Sequence, residues 1–77
     1  MDIDSAAKEY QKKTISEAII EPSSNGNGWR ILFHKTNGDI VALTDHSGAE
    51  KIYHTLDNAS EVIQSAGITT IRIEEHF

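Results

Sequence analysis

One stretch constrains the fold more than any other: residues 29–45, "WRILFHKTNGDIVALTD", where two runs rich in β-branched and aromatic residues flank Asn37 and Gly38. Asn-Gly suits a type I′ turn because both central residues need positive φ, so the run is expected to form an antiparallel hairpin with strands 29–36 and 39–45. A two-residue loop also sets the register. Thr36 then faces Asp39, Phe33 faces Ala42, Leu32 faces Leu43, and Arg30 faces Asp45 as a cross-strand ion pair. Trp29, Ile31, Phe33, Ile40 and Ala42 share one side, and Leu32, Val41 and Leu43 share the other, with Arg30, His34 and Asp45 at its margins. Both sides are apolar in this register, so each is expected to be covered by a helix or by another chain.

The flanking sequence supplies those covers. In "DSAAKEYQKK", Ile3, Ala6, Ala7 and Tyr10 lie on one arc at helical spacing, with Asp4 or Ser5 as N-cap and lysines at the end, which predicts a short helix over 4–13. "TISEAIIE" has paired β-branched residues off that arc and stops at Pro22, so 15–21 reads as a strand. "PSSNGNG", 22–28, is a loop by composition and is expected to be mobile. "AEKIYHT" predicts a strand over 49–54, and Leu56, Ala59, Val62, Ile63 and Ala66 predict a helix over 56–66, capped by Thr55 or Asp57 and closed by Gly67. A last strand, 68–74, turns Ile71 and Ile73 toward that helix, and the terminal "EEHF" is expected to fray.

The expected fold is α+β. A small antiparallel sheet of three or four strands, built from the hairpin and a meander, carries the C-terminal helix–strand unit on one face; the N-terminal helix or a second subunit covers the other. Residues 1–14 form a helix or arm and 15–77 a single domain, since 77 residues bury only about 60% of their unfolded surface and cannot divide into two cores.

"DHS" at 45–47 has the ingredients of a hydrolase, but consecutive side chains fan apart and cannot form a relay. As a turn, Asp45 and Ser47 can bond nearby backbone N–H groups while Gly48 supplies a positive φ. A three-residue loop at 46–48 would place Ile40 opposite His54, putting His54 on the Trp29 side and His34 on the other, so the histidines do not converge and no metal or other cofactor is expected. The carboxylates Asp39, Asp45, Glu50, Asp57 and Glu61 show no pairing suited to acid–base chemistry.

Charge and composition narrow the partners. Five acids against three lysines up to Gly28, then seven acids against four basic residues, make the chain acidic throughout, at −5 in all. Duplex binding draws on phosphate neutralisation and is disfavoured. The absence of cysteine excludes thiolate chemistry and fits a reducing cytoplasm; no signal-like or membrane-spanning run occurs. These features point to a non-enzymatic interaction or accessory module, self-associating as a homodimer, whose expected surface is Trp29, Ile31, Phe33, Arg30 and His54. Two alternatives are single-stranded nucleic acid stacked on Trp29 and Phe33 with Arg30, Lys35, Lys51 and Arg72 on phosphates, and an acidic inhibitor of a nucleic-acid-binding protein.

Overall fold

The computed structural model describes residues 1–23 and 28–75. Its elements run α1 (Ile3–Gln11), β1 (Ile15–Pro22), β2 (Trp29–Lys35), β3 (Ile40–Ala42), β4 (Ile52–Tyr53), α2 (Leu56–Ser65) and β5 (Ile71–Ile73). The α+β class is as expected, residues 15–21 are strand, and both expected helices form, although α1 starts at Ile3 under an Asp2 cap rather than one at Asp4 or Ser5. Of the loop expected over 22–28 and the fraying expected of "EEHF", residues 24–27 and 76–77 lie outside the described residues, whereas Pro22 belongs to β1 opposite Trp29 and Glu74 N–H donates to the Ile20 carbonyl at 2.9 Å. No helix among the described residues is long and apolar enough to cross a membrane.

Among the described residues five strands form one sheet in the order β3-β2-β1-β5, with β4 also paired to β2. The sheet is mixed rather than antiparallel, because β5 runs parallel to β1. The reason lies in α2: β4 and β5 sit at opposite edges, and a helix that crosses between them returns the chain in its original direction. The expected meander is also corrected. β4 pairs with β2, Trp29 with Tyr53 and Arg30 with Ile52, so β3 and β4 occupy one edge in succession along the same neighbour.

The hairpin forms in a different register from the one expected. Leu32 faces Ala42, Phe33 faces Val41 and His34 faces Ile40. Lys35 N–H donates to the Asp39 carbonyl at 2.7 Å and Gly38 N–H to the Lys35 carbonyl at 3.0 Å, which defines a three-residue loop with Gly38 at φ +98°. Asn-Gly serves this bulged loop as well as a type I′ turn, since here only the glycine needs positive φ. The one-residue slip turns over every β3 side chain. Val41 and Leu43 join Trp29, Ile31 and Phe33, whereas Ile40 and Ala42 join Arg30, Leu32 and His34.

Both helices pack on the Phe33 side. The core gathers Ala6 from α1, Ala59 and Ile63 from α2, and Ala18, Ile20, Ile31, Phe33, Leu43 and Ile68. Asp2 caps α1 by accepting from Ser5 N–H at 2.8 Å, and Thr55 caps α2 by accepting from Asn58 N–H at 3.0 Å. A bulge at Ser16 brings Ile15 into phase with Ala18 and Ile20, and the Ser16 hydroxyl donates to the His34 carbonyl at 3.0 Å. No second element covers the far side of the sheet among the described residues, so of the two expected covers for that face the N-terminal helix is ruled out.

Candidate interaction surface

The uncovered side follows from the register. β1 presents Glu17, Ile19 and Glu21 there; β2 presents Arg30, Leu32 and His34; and Ile40, Ala42, Ile52 and Arg72 belong to the same side. Ile19, Leu32 and Ala42 make an apolar row through the middle. Ile19 is only 3% exposed although it lies outside the helix-side core. At the β3 and β4 edge the cover thins, leaving Ile40 56% and Ile52 40% exposed.

Ion pairs frame this row. Arg30 Nε lies 2.7 Å from Glu21 Oε1 and its Nη1 3.6 Å from Glu50 Oε2. Arg72 reaches Glu17 at 2.8 Å and Glu74 at 3.1 Å, and His34 Nδ1 lies 3.7 Å from Glu17. Carboxylates and guanidinium groups therefore alternate across the surface. The expected Arg30–Asp45 pair is not formed, since the hairpin slips by one residue and the chain leaves the sheet at Thr44.

Asp45 has other partners. Its Oδ1 accepts from Ser47 N–H at 2.9 Å, Ser47 Oγ at 2.6 Å and Ala49 N–H at 3.0 Å. These bonds, the Ser47 hydroxyl foremost, hold its carboxyl below the ordinary range. Thr44 bridges Glu50, so the three-residue loop at 46–48 has the expected local register, and Gly48 takes φ +95°. Pairing stops after that bridge, and Ile40 and His54 are not brought together. His46 Nδ1 turns away to Asp2 Oδ2 at 2.8 Å, so Asp45, His46 and Ser47 build a turn that ties down the start of α1. Asp2 is held at about 2, chiefly by Ser5 and further by His46.

The five residues expected to form a surface separate. Ile31 and Phe33 are fully buried beneath the helices, and Phe33 offers no face to a stacked base. Trp29 is half-buried beside Tyr53, His54 is exposed, and Arg30 lies on the uncovered side. Sequence reasoning missed Glu17, Glu21 and Ile19 at the centre of that side, and named Arg72 only as a phosphate contact in the nucleic-acid alternative. The polar pair Ser16-Glu17 inside an apolar strand marks the bulge that sets Ile15 on the side opposite Glu17, Ile19 and Glu21. On the helix side, a groove of about 710 Å³ runs between α1 and α2, with Ile3, Ala7, Val62 and Ala66 in its walls and Asp4 and Glu61 at its rim.

Comparison with protein-family models, with curated proteins and with solved structures returns no significant match to this chain.

Proposed function

We propose that this chain is a small non-enzymatic interaction module that associates with itself through the free side or edge of its sheet. The observation that carries the reading is the placement of both helices on one face, which leaves Leu32 and Ala42 without a second layer, while Ile40, Ile52 and Ile73 stay exposed at the edges of the sheet. A sheet with an apolar row on its open side gains by covering it, at about 25 cal/mol per Å² buried.

The titratable groups support a binding role over a catalytic one. Asp45 and Ser47 bond to each other and to their own loop, His46 to Asp2, and the face carboxylates to Arg30 and Arg72. The interleaved Arg30 and Arg72 also favour a protein surface over imitation of a nucleic acid, which calls for a continuous acidic stripe. A cysteine-free chain suits a reducing cytoplasmic setting, and an accessory role beside a larger assembly fits its size.

Sedimentation equilibrium across roughly 10 µM to 1 mM covers the range expected of a small interface. Concentration-dependent mass supports the reading, and a strictly monomeric chain over that range overturns it.

A further inference from the structure

Resting on that reading, we infer that the self-contact is an antiparallel pairing of β5 with β5 of a second copy, in the register that sets Ile73 opposite Ile73. β5 ends the sheet, with β1 on one side and no strand among the described residues on the other. The opposite edge is less suited to pairing, because the excursion at 44–50 interrupts it between β3 and β4.

Backbone phase limits how two such edges can meet. Ala18 N–H donates to the Thr70 carbonyl and Glu74 N–H to the Ile20 carbonyl, both at 2.9 Å. Thr70, Arg72 and Glu74 therefore direct their backbone groups to β1, and by alternation Ile71 and Ile73 direct theirs outward. In a two-fold antiparallel pair, outward residues must face outward residues, so the axis passes at residue 71, 72 or 73.

Charge selects among these three. An axis at Arg72 sets Arg72 against Arg72 in a non-hydrogen-bonded pair, where side chains approach most closely and like charges repel. An axis at Ile71 sets Arg72 against Thr70, at the end where Tyr10 already bonds Thr69 and Thr70 at 3.1 Å. An axis at Ile73 sets Arg72 of each copy against Glu74 of the other. Within one chain these two already lie 3.1 Å apart, so the pairing makes an alternating cluster of four charges. It also brings together the two Ile73 side chains, each 47% exposed in a single chain, and exchanges hydrogen bonds at Ile73 and between Ile71 and Glu75.

The test uses the chain's lack of cysteine. Hydrogen-bonded residues across an antiparallel pair have Cα atoms about 5.5 Å apart, within disulfide reach. Ile73→Cys is expected to cross-link on mild oxidation, and Ile71→Cys is not. In sedimentation, Ile73→Pro removes an outward N–H that β1 does not use and is expected to abolish the dimer while leaving the circular dichroism spectrum unchanged. Arg72→Glu or Glu74→Arg alone should weaken association about tenfold, and mixing the two single variants should restore it as a heterodimer. A wild type that dimerises, with Ile73→Pro dimerising equally and no cross-link at 73, overturns the edge pairing while self-association through the open face stands. A wild type that never dimerises overturns both.

Discussion

Gly28 sits where β2 begins, at φ +144°, and a Cβ built on it would lie 2.5 Å from the Tyr53 carbonyl oxygen and 2.9 Å from Ile52 Cγ2. Gly28→Ala therefore carries two costs. A left-handed φ on an alanine costs about 1–2 kcal/mol. The clash is with backbone, so β4 must retreat from β2, and losing about two ladder bonds adds roughly 2 kcal/mol. Gly38→Ala is the control, because φ there is +98° but nothing lies within 4 Å of the added carbon. For a chain this size, where each kcal/mol shifts Tm by about 4–8 °C, the expected losses are roughly 15–25 °C at Gly28 and about 5–10 °C at Gly38. Thermal unfolding followed by circular dichroism measures both, and faster amide exchange at Ile52 and Tyr53 in the Gly28 variant would locate the damage. Equal losses, or the larger loss at Gly38, would refute the close approach of β4 to Gly28.

Other expectations follow from the same contacts. Phe33 is fully buried, so Phe33→Ala should cost about 3–5 kcal/mol in urea unfolding, a large share of what a chain this small holds. A double-mutant cycle on Arg30 and Glu21, whose side chains are 29% and 16% exposed, should give a coupling near 1 kcal/mol. The cycle on Arg72 and Glu17 should give less, since Arg72 is 52% exposed. Asp2 is lowered from 3.8 to about 2 in the folded chain, so its stabilising effect is complete above about pH 4 and is lost as pH falls toward 2. Tm should drop across that window and drop less in Asp2→Asn, with Asp45 acting in the same direction.

What the sequence made legible were features written in neighbouring residues. The arc of Ile3, Ala6 and Tyr10, the Thr55 cap, and the turn residues at Asn37-Gly38 and Asp45–Gly48 each carry their own geometry. The hairpin register did not, because Asn-Gly serves two loop lengths, and only packing against the helices decides between them. That single step recast a hairpin with two apolar sides as one with a core side and a charged side. The partners of Arg30 were illegible for a related reason: Glu21 belongs to the strand before it, and no local pattern says which neighbour β2 takes. The amphipathic arc of α1 showed that one face is buried but not on which side of the sheet. Of the five residues expected to share a surface, Ile31 and Phe33 are therefore buried in the core, while Arg30 lies on the opposite, open side.

The excursion at 44–50 separates two segments that lie end to end along β2, so the chain leaves the sheet and returns to it at nearly the same place. Between those points the sheet has no stake in the number of residues. Extra sequence inserted after Ser47, at an exposed tip, keeps the Asp45 bonds to Ser47 and gives up those that Gly48 and Ala49 make to Asp45, and beyond that adds loop-closure entropy of about 0.6 kcal/mol for each doubling in length. The edge strand thus has a built-in splice point where a peptide epitope or a small domain could be grafted while β3 and β4 keep their places.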